Sequence, residues 1–473
     1  MLQCVNDITT LGDAFKIHAR RVRTLTISNS YPITSTVDPI VYVLLTERLH
    51  GTPLFPGLEA IELYGLPQHF DWHTLPLLLS SHSLRAIKVA DSALDNPWFY
   101  QFGLPILVSR SSVTLRKLSF CHDTAMVQPS LWKAVASFRR LEELELRLPQ
   151  STNMPPEFLF QIGRGMDRLA HLALDVHFPQ HLMSPDGLIT PNLSDAAGVK
   201  GKMPQPSRMF DALKALELVN RMETSLCQCF SIPSLIQHVT SLTLHYTSEN
   251  AMNSLLQISE HLAKYSSLRT LAITHPKNVN ITVYLDQVVS LVSHCERLEE
   301  LLLNSVTQIR GRGSETAKDC LEQILTASRS PKRPGLRRLE LPWFRDVSQI
   351  SLVDLATLVI NEAPQLEQLV VSVHSGIPNE GLVVPPRDPP SETDTRSQRK
   401  LASLRICDAR DERYYPFQPK QYQQIAHFLD ECFPELKKVE PTAAMPAWLI
   451  PHWELVDHLR GVYRANRLLM SFH

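Results

Sequence analysis

Leu-Xaa-Xaa-Leu-Xaa-Leu, with Val, Ile or Phe able to replace Leu, recurs fourteen times along this chain. The copies start at Val22, Leu58, Leu84, Leu115, Leu141, Leu169 and Leu213, then at Val239, Leu268, Leu298, Leu336, Leu366, Leu401 and Leu436. The last copy is degraded to LKKVEP, and the steps average roughly 32 residues. A loose pattern of this kind arises by chance about ten times in a chain this long. Regular spacing argues against chance, and so does the charge that directly follows the first Leu in LEAI, LRAI, LRKL, LEEL, LKAL, LRTL, LRRL, LEQL and LKKV. A unit this short cannot bury an apolar face alone, so it stacks on its neighbours and grows in one dimension. The 473 residues would otherwise suggest two or three domains.

The unit itself predicts a strand. Leu271 and Ile273 are two residues apart and share one face, while Thr270, Ala272 and Thr274 point to the other. The stretches NSLLQISEHLAKYSS, VYLDQVVSLVSHCER, DCLEQILTAS and ISLVDLATLVINEAPQ space their apolar residues at helical period before Leu268, Leu298, Leu336 and Leu366. The expected fold is an α/β leucine-rich-repeat solenoid, a horseshoe with parallel strands on the concave face and helices on the convex face. The expected organisation is a cap over residues 1–21, repeats over 22–447 and a capping helix over 448–473. Leu11, Phe15 and Ile17 or Ala19 would close the first end, and Leu455, Val456, Leu459, Val462 and Tyr463 the other. Segments 179–206 and 376–400 are rich in Pro, Gly, Ser and Asp, lack periodicity and read as loop insertions.

Composition narrows the function. A net charge of -1 leaves no field to draw in nucleic acid or an anionic membrane. No run of 18 apolar residues and no signal-peptide core is visible. The eight cysteines are scattered, which fits a reduced cytoplasmic or nuclear setting. Cys227 and Cys229 lack a second pair at zinc spacing, and His69 and His73 lack the Glu of a helical metal site. GRGSETAK lacks the ending of a phosphate loop, and the basic run RSPKRPGLRR has no interleaved aromatics to stack bases. SETD at Ser391 is an acidic-directed phosphosite pattern of the sort chance places in loops. No cofactor, metal or catalytic grouping is expected.

The outward central row is more informative. It reads Thr26, Glu62, Lys88, Ser119, Glu145, Ala173 and Glu217 in the early copies. It continues Thr243, Ala272, Leu302, Glu340, Val370, Arg405 and Glu440. Aliphatic residues replace polar ones at Ala272, Leu302 and Val370, with His245, Tyr246, His275, Asn304 and Trp343 just past those strands. Exposed aliphatics beside aromatics and rimmed by charge are the makings of a hot spot. The expected partner-binding residues are therefore Tyr246, His275, Leu302, Asn304 and Trp343, holding a protein on the concave face. An insertion folded over these strands is the alternative.

Units such as SHCERLEELLLNS and ECFPELKKVE, with FKIHARRVRTLTIS and GTPLFPGLEAIEL near the start, resemble the leucine-rich region of fungal F-box proteins. The resemblance spans nearly the whole chain and implies substrate recruitment to a ubiquitin ligase. In that family a helical F-box precedes the repeats; here 21 residues precede Val22 and no Leu-Pro-Xaa-Glu opening is present. The adaptor contact is thus expected only if an F-box is supplied elsewhere. The alternatives are a free-standing scaffold or inhibitor of the ribonuclease-inhibitor kind, and an enzyme with a site built from the insertions.

Overall fold

The computed structural model describes residues 17–28, 47, 49, 52–64, 74–79, 81–124, 126–151, 154–155, 157–176, 209–220, 230, 232–247, 262, 267–274, 282–303, 308–311, 316–329, 335–342, 349–377, 381–385, 400–408, 410 and 418–470. The chain forms two compact units. One holds residues 1–219 and 231–239, and the other holds 220–230 and 240–473.

In the first unit each repeat supplies one strand. These are β1 (Thr24–Ser28), β2 (Ala60–Tyr64), β3 (Ala86–Ala90), β4 (Lys117–Cys121), β5 (Glu143–Leu148), β6 (His171–Val176) and β7 (Ala215–Asn220). They pair in parallel and in chain order. Helices α1 (Thr74–Leu79), α2 (Leu104–Ser111), α3 (Ser130–Ala136) and α4 (Phe158–Gly165) fill the returns between strands. The second unit repeats the scheme with β8 (Ser241–Tyr246), β9 (Thr270–Thr274), β10 (Thr282–Tyr284), α5 (Leu285–His294), β11 (Glu300–Leu302) and β12 (Gln308–Arg310). It continues with α6 (Ala317–Ser328), β13 (Arg338–Glu340), β14 (Ile350–Ser351), α7 (Leu352–Glu362), β15 (Gln368–His374), β16 (Ser403–Asp408), α8 (Pro419–Cys432), β17 (Lys438–Pro441) and α9 (Ile450–Met470). Strands β8, β9, β11, β13, β15, β16 and β17 form its parallel path, while β10 pairs with β12 and β14 with β15. This is an α/β leucine-rich-repeat solenoid.

The repeat motif accounts for the burial. Its first Leu or Val is buried at every copy from Leu58 to Leu436, and so are the paired residues that follow, such as Leu144 with Leu146 and Leu301 with Leu303, except for Pro441 in the degraded last copy. Register is set by the main chain. The carbonyl just after the first Leu accepts two N–H groups from the next repeat. Arg23 O takes Glu59 N and Ala60 N, and Glu367 O takes Ala402 N and Ser403 N. The charges at this position, expected to be solvated, pair from repeat to repeat: Arg23–Glu59 at 2.9 Å, Arg116–Glu142 at 2.9 Å, Arg269–Glu299 at 3.2 Å and Arg337–Glu367 at 2.7 Å. Each such exposed pair contributes only about 0.2–1 kcal/mol. Helix starts are capped where the sequence permits. Thr316 Oγ1 accepts from Asp319 N at 3.1 Å while Thr316 N donates to the Asp319 carboxylate at 2.8 Å, and Ser351 Oγ accepts from Asp354 N at 3.0 Å.

Helix α9 lies against the last strand. Lys437 O stands where earlier repeats receive the next copy's N–H groups. Here the buried Arg460 guanidinium donates to it at 2.8 Å, and also to Leu436 O. Asp457 accepts from Val439 N at 2.9 Å, and Trp453 Nε1 donates to the buried Asp408 at 3.0 Å. Asp408 also takes Ser375 N and Arg410 N. The inward stripe of the helix is Trp453, Val456 and Arg460, with Leu449 buried just before it. The helical spacing had pointed Leu455 and Val462 inward, yet they are 42% and 45% exposed. The stripe turns on a buried arginine that hydropathy assigns to solvent. At the other end Ala19 is buried and Ile17 is exposed, while Leu11 and Phe15 lie outside the described residues. Insertion 179–206 and most of 376–400, Ser391 included, lie outside them too.

Leu301→Ala should lose about 2–5 kcal/mol in a denaturant melt, the range for a core cavity. Arg460→Met should cost about 1–3 kcal/mol by removing the guanidinium that caps Lys437 O and shares Leu436 O with Arg464, and should speed proteolysis within α9. Melts and digestion patterns indistinguishable from the parent would contradict these two assignments.

Candidate functional site

Parallel pairing in register brings the outward central residues of the first unit side by side, in the order Thr26, Glu62, Lys88, Ser119, Glu145, Ala173, Glu217. All of these but Thr26 line a groove of about 320 Å³ across β2 to β7, together with Ala60, Ala86, Lys117, Glu143, Arg147 and His171. Small residues leave the space, and charged residues on neighbouring strands decorate it.

The charges are organised around Arg147. Its guanidinium donates to Glu145 at 2.5 Å and to Glu217 at 2.7 Å, and Ser119 Oγ donates to the other Glu145 oxygen at 2.5 Å. Lys117 pairs with Glu143 at 2.6 Å. Partial burial pushes the Glu145 carboxyl up. Hydrogen bonds from Ser119 and Arg147, with the charges of Arg147 and Lys88, outweigh it and hold the group below its ordinary value. Burial works against the Arg147 charge, but the bond to Glu145 and the Glu217 charge raise its pKa. Lys88 sits 5.3 Å from the Tyr64 ring centroid, and its bond with the Tyr64 side chain leads the interactions that raise its pKa. Burial pushes the Cys121 thiol up, so it is poorly placed to act as a thiolate. Glu145, Arg147 and Lys88 are thereby each held in the charged form, an arrangement suited to recognising a charged partner.

The second unit places Thr243, Ala272, Leu302, Glu340, Val370, Arg405 and Glu440 in one register. Ala272 and Leu302 are half-buried. Val370, expected to be an exposed aliphatic, is 7% exposed, and its neighbour Glu340 is 3% exposed with Arg338 Nε at 2.9 Å. Tyr246 is a correction. Strand β8 runs one pair further than the motif, so Tyr246 continues the inward set Leu242 and Leu244 and is fully buried. A buried side chain cannot meet a partner. His275, Asn304 and Trp343 lie outside the described residues, as do His69, His73, Cys227 and Cys229. In the basic run, Arg329 pairs with Glu362, Arg337 with Glu367 and Arg338 with Glu340, all between or within repeats. The early groove was missed because each of its residues is ordinary alone. The signal is the polar row Glu62, Lys88, Ser119 and Glu145, which a solvated strand face would also show.

Residues 189–386 match the family described as At1g61320/AtMIF1, LRR domain. This stretch is a leucine-rich-repeat region. No curated protein matches the chain. Among solved structures, the chain is similar to one in the crystal structure of the Rad7 and Elc1 complex in yeast, at 15% identity and a TM-score of 0.36, over 70% of this chain and 73% of that one. A likeness of that size carries no argument about partners. Among the described residues, no helix is long and apolar enough to cross a membrane.

Acid should weaken the groove's own network. The folded Glu145 carboxyl titrates below its ordinary 4.5, so its stabilising contribution is complete above about pH 4.5 and drains away as pH falls through the lower folded value. The contribution is below about 1 kcal/mol for so exposed a group. Melting temperatures of the parent and Glu145→Gln should differ most above pH 4.5, with the gap narrowing as pH falls below that value; a constant difference would contradict the network.

Proposed function

We propose that this chain is a non-enzymatic protein-interaction module that holds a protein partner on the outward face of its parallel strands. The groove across β2 to β7 is the observation that carries this reading. Its side chains sit on hydrogen-bonded strands, so little conformational freedom is lost when a partner docks. Several long charged groups already hold one another in place, which limits that loss further. The half-buried Leu302, with His275, Asn304 and Trp343, supplies a second contact set on the later repeats; Tyr246 leaves that set because it is buried. The resemblance to fungal F-box proteins favours substrate recognition for a ubiquitin ligase. The adaptor contact then belongs to this chain only if an F-box is supplied elsewhere.

Proximity labelling in the source cells tests the reading, comparing the parent with Ala86→Arg, which fills the groove, and Leu302→Glu, which charges the later row. At least one variant should lose a common set of labelled proteins several-fold while melting like the parent. If both variants keep the parental set, the partner docks elsewhere and this assignment of the face is wrong.

A further inference from the structure

Most charges of the groove are already compensated. Lys117 is closed by Glu143, and Arg147 by Glu145 and Glu217. Glu62 and Lys88 are different. They stand directly opposite each other on β2 and β3, at a strand spacing of about 4.8 Å. Opposite charges placed so are within easy reach of one another, yet among the described residues neither has an ion pair. Glu62 turns toward β1 and accepts from Thr26 Oγ1 at 3.3 Å. The Lys88 ammonium turns to the Tyr64 ring, 5.3 Å from its centroid. The small Ala60 and Ala86 lie alongside them and leave room between the two heads.

Resting on the protein-binding reading above, we propose that this end of the groove selects an extended segment of a protein partner carrying one basic and one acidic side chain on the same face, the basic one over Glu62 and the acidic one over Lys88. Same-face residues of an extended segment are two apart, about 6.6–6.8 Å along the chain. Long side chains can converge from that distance onto groups one strand spacing apart. The recognised pattern is therefore basic-Xaa-acidic, or its reverse if the segment runs the other way. A segment of one sign meets attraction at one head and repulsion at the other.

The test uses the full chain and three fluorescein-labelled nonapeptides with a common Ala/Ser background and central Arg-Ser-Glu, Arg-Ser-Arg or Glu-Ser-Glu. Fluorescence anisotropy at low salt should rank Arg-Ser-Glu first on the parent. Lys88→Glu should move first place to Arg-Ser-Arg, and Glu62→Lys should move it to Glu-Ser-Glu. Each preference should be about tenfold, as two exposed ion pairs allow, and should fade as salt rises. If either variant melts early, Glu62→Gln and Lys88→Gln serve instead, and each should flatten the ranking. A ranking that is the same on every protein, or no binding of any peptide, overturns the proposal. The broader reading fails separately: loss of labelled partners in Ala86→Arg without peptide tracking would sink only this pairing, whereas retention in both Ala86→Arg and Leu302→Glu would sink the face itself.

Discussion

One carbonyl oxygen per repeat, the one just after the first Leu of the motif, carries the register of each unit. It accepts two N–H groups from the following repeat, as Arg116 O does from Glu142 and Glu143. Because side chains alternate with period two, a slip of one residue would turn every buried Leu outward and every outward charge inward. The leucines make slippage costly, and the shared carbonyl makes the correct alignment geometrically definite. Everything on the outer surface inherits that alignment. Glu62, Lys88, Ser119 and Glu145 are neighbours only because their strands cannot shift.

The surface charges show how a strong constraint can be dressed by weak ones. Arg23–Glu59 and Arg337–Glu367 contribute little each, but they sit at the position where the main chain already meets. Their value is in opposing misalignment, since a shifted strand would bring other side chains to these places. The groove draws on the same arrangement three positions further along the chain, where Glu145 follows Glu142. There, Glu145 and Arg147 hold each other charged against the cost of partial burial, beside the small Ala173.

How much of this was legible depended on whether a feature is periodic. Inward Leu pairs, the outward row and helices such as Leu352–Glu362 follow from spacing, because one energetic term, apolar burial, dominates them. Tyr246 was not legible, since the end of a strand depends on how far its neighbour keeps pairing and the motif says nothing about that. Val370 reads as an exposed aliphatic in the motif, yet it is buried, and the motif carries no sign of that. Arg460 was hidden for a third reason. A buried guanidinium is stable only when particular carbonyls await it, and Leu436 O and Lys437 O become available only once the last repeat has formed. The groove itself needed the register between strands, which no single repeat contains.

Arg460 also answers a problem that every stacked parallel sheet has at its final strand. The outer edge of β17 presents the same acceptors that recruited each earlier strand, and nothing in their chemistry distinguishes the chain's own next repeat from a strand of another molecule. By seating a guanidinium on Lys437 O and a carboxylate on Val439 N, α9 occupies those groups with partners that have no further edge to offer. The helix thus ends a growth process as well as covering apolar surface, and it keeps a fold built by addition from continuing into a fibre.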